Sequence, residues 1–207
     1  MIAVIDYGAG NLFSLSGSLK KIGEEAVITN DPAVLDKADH LILPGVGAFE
    51  DAMIKLGSTG LIDPLKEEVN KGKPLLGICL GMQMLFEASE EFGMHEGLGL
   101  IHGTVKDIRP YLTEKLDIPH MGWNRLQFQK PSEIYKGIPE GTYVYFVHSF
   151  AAFDCEENLT ATADYSIPLT ASVQKDNIYG TQFHPEKSGP VGLAILKNFC
   201  QTKGRNV

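Results

Sequence analysis

Short apolar runs alternate with longer amphipathic ones over the first half of the chain, a pattern that predicts βα units around a parallel sheet. Ile2 to Asp6 reads as a buried strand. Beyond the loop Tyr7-Gly8-Ala9-Gly10, the residues Leu12, Leu15, Leu19 and Ile22 recur at helical spacing, and Gly23 stands where that helix would place its C-cap. Ala26 to Thr29 and Leu41 to Leu43 predict two further strands, with helical segments over Glu50 to Leu56 and Pro64 to Asn70. Leu75 to Ile78 predicts a fourth strand. It leads directly into Leu80 to Glu87, whose composition favours a helix despite Gly81, so Cys79 falls at a strand-to-helix junction.

From about Gly103 the pattern changes. Strand-like runs over Val105 to Ile108, Trp123 to Phe128, Tyr143 to Phe150 and Ile178 to Phe183 are separated by turns rich in Pro, Gly and Asn, which predicts antiparallel additions to the sheet. Val191 to Cys200 carries Leu193, Leu196 and Cys200 at helical spacing, with Ile195 and Phe199 widening the stripe, and should pack back on the core. No internal repeat or linker interrupts the chain, and 207 residues suit one domain with a single core.

Composition narrows the classes of function. A net charge of -8 without any basic run disfavours nucleic acid as a partner, because neutralising phosphates requires clustered Lys and Arg. The first residues lack the basic head and apolar stretch of a signal peptide, and no apolar run is long enough to cross a bilayer, so no membrane association and a cytoplasmic location are expected. Three cysteines, Cys79, Cys155 and Cys200, cannot all pair within the chain and are widely spaced, as free thiols would be. None of the six histidines forms the helical ligand spacing of a zinc hydrolase, so no metal is expected, and Phe13 stands where a dinucleotide-binding loop would need a glycine three residues after Gly10, so no cofactor is expected either.

Candidate chemistry centres on Gly77-Ile78-Cys79-Leu80-Gly81. Two glycines around a central nucleophile relieve crowding where a strand turns sharply into a helix, and a thiol at that helix's N-terminus would be favoured as thiolate. Alone, the pattern fits a packed core cysteine equally well. Gln83, one turn along, shifts the balance, since a buried amide without partners costs about 1–3 kcal/mol and would accept a polar ligand beside the thiol. Near the end of the chain, Pro185 biases His184 toward extended backbone, so His184 and Glu186 should project together as a base and the carboxylate that orients it. Gly45-Val46-Gly47, after the strand Leu41 to Leu43, would lie at the same sheet edge and could aim N–H groups at an oxyanion beside that of Leu80. Taken singly, His-Pro-Glu and the Gly-rich loop are ordinary surface features.

Together, Gly77-Ile-Cys-Leu-Gly-Met-Gln83 and His184-Pro-Glu186 resemble the class I glutamine amidotransferase family over nearly the whole chain. The resemblance implies a flavodoxin-like three-layer α/β sandwich and a Cys79, His184 and Glu186 triad, with oxyanion donors near Val46, Gly47 and Leu80. It implies further that Gln83, Glu91, His148 and Ser149 line a pocket for L-glutamine, Glu91 meeting the substrate ammonium. Phe150 departs from the tyrosine common after His-Ser in that family. The segments Asp6 to Leu12, Pro44 to Phe49, Pro119 to Asn124 and Phe146 to Ser149 narrow the resemblance to members that feed ammonia to a (βα)8-barrel cyclase subunit in histidine biosynthesis, as a heterodimer. By that resemblance Asn11, Trp123, Asn124 and Lys187 face the partner. A glutaminase serving pyridoxal phosphate synthase would share the triad, as would a γ-glutamyl hydrolase acting alone, and a non-catalytic regulatory partner could keep the fold.

Overall fold

The computed structural model describes residues 1–204; the single domain expected over 1–207 extends past them, and its last three positions lie outside the described residues. Seven of the early predicted elements form within two residues of their expected ends. They are β1 (Ile2–Ile5), α1 (Leu12–Lys21), β2 (Ala26–Thr29), β3 (His40–Leu43), α3 (Phe49–Ser58), α4 (Ile62–Asn70) and β4 (Leu75–Ile78), with a short α2 (Pro32–Lys37), not foreseen, between β2 and β3. Gly23 adopts the left-handed conformation at φ 85° and closes α1 as a C-cap glycine does.

The strand β4 runs into α5 (Leu80–Gln83), which ends after four residues instead of continuing to Glu87. Phe86–Ser89 is a strand, β5, paired in parallel with β7 (Ile101–Asp107) and flanked by the short β6 (His95–Glu96). Pairing partners override the helical propensity of this stretch.

The later strands are β8 (His120–Arg125), β9 (Gln127–Phe128), β10 (Tyr143–His148), β11 (Phe150–Phe153), β12 (Leu159–Asp164), β13 (Pro168–Lys175) and β14 (Ile178–Thr181), followed by α6 (Gly189–Cys200). Eight strands form one sheet in the order β2-β1-β3-β4-β14-β13-β12-β9. Its first five are parallel, and β13, β12 and β9 continue it antiparallel. Not every predicted addition joins that sheet. β8 and β10 pair as a separate antiparallel ribbon, and β11, β7, β5 and β6 make a third sheet over the carboxyl side of the core.

Residues alternate between the two faces of the main sheet, as the period of a strand requires. Ala3 and Ile5 pack with Phe49, Leu56 and Leu65 of α3 and α4, whereas Ile2 and Val4 pack with Leu15 and Leu19 of α1 and Ile195 and Phe199 of α6. Both faces are therefore covered, which makes three layers. Among the described residues, no helix is long and apolar enough to cross a membrane.

Candidate active site

Three neighbouring strands deliver the site. β4 lies between β3 and β14 with Leu43 opposite Gly77 and Thr181 opposite Ile78, so the segments after all three emerge side by side at one carboxyl edge. Cys79 follows β4, His184 follows β14, and Pro44 to Ala48 follow β3.

Cys79 sits at φ 54°, a left-handed conformation that a residue with a side chain adopts only when its surroundings fix it. Its N–H donates to the Thr181 carbonyl at 2.7 Å, and its own carbonyl accepts from Gln83 at 3.1 Å. The flanking glycines are required by close approach. A Cβ at Gly81 would lie 1.9 Å from the Leu43 carbonyl oxygen, and one at Gly77 would lie 2.7 Å from that of Gly81. The predicted sharp turn is present, although the helix after it is a single turn.

The Cys79 sulfur lies 3.9 Å from the Val147 carbonyl and 3.7 Å from the Gln182 amide nitrogen. His184 and Glu186 project together as expected: Nδ1 meets the Glu186 Oε1 at 2.8 Å, with both side chains almost fully buried. Burial works against the imidazolium, but the Cys79 sulfur and the Glu186 carboxylate outweigh it and raise the His184 pKa to about 9. His184 Nε2 and Glu186 Oε2 are buried without a hydrogen-bond partner of ordinary geometry. The interaction of His184 with the sulfur is thus one of charge and proximity rather than a formed hydrogen bond. An orphaned imidazole nitrogen beside a thiol is poised for proton transfer.

A cavity of about 380 Å³ opens over these groups, and its walls include Cys79, His184, Val46, Gly47, Leu80, Gln83, Glu91, His148 and Ser149. Residues separated by more than a hundred positions in sequence share one space. Glu186 stands behind His184. Glu91 accepts the Phe49 N–H at 2.7 Å, and its burial raises its pKa while that hydrogen bond opposes the rise. Gln83 is not left without partners, contrary to the sequence argument: its Nε2 donates to the Phe150 carbonyl at 2.9 Å and to Gln182 Oε1 at 3.0 Å. Phe150, the departure from the family's common tyrosine, lines the cavity with Phe92, its ring edge-on at 6.2 Å between centroids.

The four residues assigned to a partner surface divide. Trp123 is 55% exposed on β8, beside Met121 at 65%, and faces Tyr145 edge-on. Asn11 caps α1 by accepting the Ser14 N–H, and Lys187 belongs to the cavity wall, its Nζ 5.9 Å from the Tyr145 ring centre. Asn124 turns its amide inward, donating to His120 Nε2 and the Asp164 carbonyl. Sequence reasoning missed Gln182, fully buried between Gln83 and Cys79, and Tyr7, whose hydroxyl donates to the Pro44 carbonyl and braces the loop after β3. A polar residue inside the strand-like run Ile178 to Phe183 was the available signal for Gln182. The other cysteines differ in setting, since burial pushes the thiols of Cys155 and Cys200 up to about 11 and about 12.

Known proteins resemble the chain in sequence and in fold. A sequence model described as Glutamine amidotransferase class-I matches residues 3–202. Imidazole glycerol phosphate synthase subunit HisH of Syntrophotalea carbinolica is 49% identical over 96% of this chain and 98% of its own length. The HisH subunit of Sulfurimonas denitrificans is 51% identical with both chains covered in full. Among solved structures, one titled glutamine amidotransferase superposes with a TM-score of 0.74 at 18% identity, covering 97% of this chain and all of its own. A chain of PurLQS from Thermotoga maritima gives 0.73 at 18% identity, with 96% of each covered, which shows the shared fold. The chain belongs to the class I glutamine amidotransferase family, within its group of imidazole glycerol phosphate synthase HisH subunits.

Proposed function

We propose that the chain hydrolyses L-glutamine to glutamate and ammonia through Cys79, His184 and Glu186, and passes the ammonia to a (βα)8-barrel cyclase subunit in a cytoplasmic heterodimer. One observation carries the reading: His184, held by Glu186 at 2.8 Å, shares a cavity of amino-acid size with the strained Cys79.

The Cys79 thiolate attacks the side-chain amide carbon of glutamine, and the negative charge moves to the amide oxygen. Backbone N–H groups near Val46, Gly47 and Leu80 are suited to hold it, the last because the first N–H of a helix has no acceptor within the helix. The C–N bond then breaks, and the nitrogen takes the proton of His184 as it leaves. A pKa of about 9 keeps that proton on His184 at neutral pH. Neutral His184 next takes a proton from water, the hydroxide adds to the thioester, and the C–S bond breaks to release glutamate and restore the thiolate. Glu91, buried in the cavity wall, is placed to receive the substrate ammonium, whose charge would counter the rise in its own pKa. Gln83, His148 and Ser149 complete the pocket.

Free ammonia would protonate in water and lose its nucleophilicity, so the product is useful only if it is delivered. The relatives are named as subunits of imidazole glycerol phosphate synthase, which supports a cyclase as the acceptor. That enzyme would make imidazole glycerol phosphate and an aminoimidazole carboxamide ribotide in histidine biosynthesis. The outward row Met121, Trp123 and Tyr143 on the β8–β10 ribbon is a suitable docking surface beside Lys187. The test is glutamate release by the full chain with and without the cyclase and its nucleotide ligand. Strong stimulation is expected, and equal turnover by the chain alone would remove the partner from the account.

A further inference from the structure

A hydrogen-bond chain with one fixed direction runs from β8 to the cavity. In the β8–β10 ribbon His120 stands opposite His148, and the Nδ1 of His120 lies 3.0 Å from the Nε2 of His148. The Nδ1 of His148 lies 2.8 Å from the Phe150 carbonyl, and the Nε2 of His120 lies 3.1 Å from the Asn124 amide nitrogen.

Every proton in this chain can be placed. A carbonyl only accepts, so His148 carries its hydrogen on Nδ1, and its Nε2 must accept from His120. His120 then carries its hydrogen on Nδ1 as well and accepts at Nε2 from Asn124. Both rings are buried and neutral, with burial lowering their pKa values to about 4 for His120 and about 3 for His148. His120 is also clamped between Tyr165 and Phe146, with ring centres 4.2 and 4.9 Å away. The Phe150 carbonyl where the relay ends is the one that receives Gln83, which holds Gln182, whose amide meets the Cys79 sulfur. An unbroken set of contacts thus joins a residue outside the cavity to the nucleophile.

We propose that His120 is a positioning residue for glutamine hydrolysis, fixing through its Nδ1–H the ring of His148 and the Phe150 carbonyl in the cavity wall. Asn124 serves the relay by setting the His120 tautomer, which accounts for its inward amide. The role in hydrolysis rests on the glutaminase reading above, whereas the relay itself does not.

Two measurements test it. In ¹H–¹⁵N spectra of the full chain, both rings should appear as neutral Nδ1–H tautomers, the form less common in free histidine; an Nε2–H on either ring overturns the relay. The second compares glutamate release, with cyclase present, by the wild type, H120N and H120Q. The amide of asparagine can occupy the Nδ1 position and donate to His148, whereas that of glutamine reaches the Nε2 position and cannot. Both variants lose the same aromatic stacking, so they should lose similar thermal stability. H120Q should lose about tenfold in kcat/KM, the scale of one buried hydrogen bond, with H120N close to the wild type. Equal kcat/KM for the two variants would overturn the positioning role. A wild type that releases no glutamate would instead overturn the glutaminase reading, and the tautomers would still decide the relay.

Discussion

At the scale of single residues, the proposed glutamine hydrolysis requires Cys79, His184 and Glu186 to act as a unit. Cys79→Ala should abolish glutamine hydrolysis while leaving the chain folded, and retained turnover would sink the assignment. Glu186→Gln removes the carboxylate that holds His184 at 2.8 Å and should lower kcat by at least about 100-fold, the lower end for general acid–base catalysis. The Cys79 sulfur and the Glu186 carboxylate, which together raise the His184 pKa, predict a pH dependence of stability. The His184 pKa is raised from about 6.5 in an unfolded chain to about 9, so the stabilisation it contributes is complete below about pH 6.5 and lost as pH rises through about 9. Urea midpoints of the wild type should fall across that window, and those of Glu186→Gln should fall less; parallel curves would contradict the coupling. The candidate triad was legible only through the joint resemblance, since the glycines around Cys79 and the proline after His184 each carry a local backbone signal that is ordinary when taken singly; the structure brings Cys79 and His184 to one cavity with Glu186 behind. Gln182 carried a signal only of burial, as a polar residue inside the run Ile178 to Phe183, and His120 carried none; nothing in their immediate neighbours reveals that one will lie against the Cys79 sulfur and the other opposite His148.

At the scale of elements, the decisive packing is between the loop after β3 and the first turn of α5. Gly81 lies against the Leu43 carbonyl, and a Cβ there would come within 1.9 Å of a backbone atom that cannot swing aside. Gly81→Ala should therefore destabilise the chain by about 3 kcal/mol or more, the upper range for overpacking, as read from urea unfolding. A change below about 1 kcal/mol, within the reach of a tolerated swap, would show that the loop yields. The parallel strands were readable because each is a short apolar run bounded by turn residues. α5 was overextended because Leu, Met, Gln and Phe favour helix locally, while the pairing of β5 with β7 is a long-range event that local propensity does not register. β12 and β13 escaped for a related reason: Leu159-Thr-Ala-Thr-Ala-Asp164 is rich in small and polar residues, yet most of it is buried beneath its neighbours.

At the scale of the whole molecule, topology makes the site. Three adjacent strands carry the proposed nucleophile, its proposed base and a candidate oxyanion loop to one edge, and the third sheet and the β8–β10 ribbon add Glu91, Phe150, His148 and Ser149 around them. The same ribbon turns Met121 and Trp123 outward, so the surface proposed for a partner and the wall of the cavity are two faces of one hairpin-like pair. A partner docked there should raise glutamate release without altering the residues that perform it, and Trp123→Ala should weaken that stimulation by about tenfold or more, as loss of an aromatic anchor does; undiminished stimulation would place the docking surface elsewhere. Whether Cys79 is the nucleophile for glutamine is decided by mass spectrometry of the chain treated with a glutamine-derived electrophile, with cyclase and acceptor present. One adduct is expected, on the peptide containing Cys79, and excess glutamine should suppress it. An adduct confined to Cys155 or Cys200, or none at all, would contradict that role for Cys79.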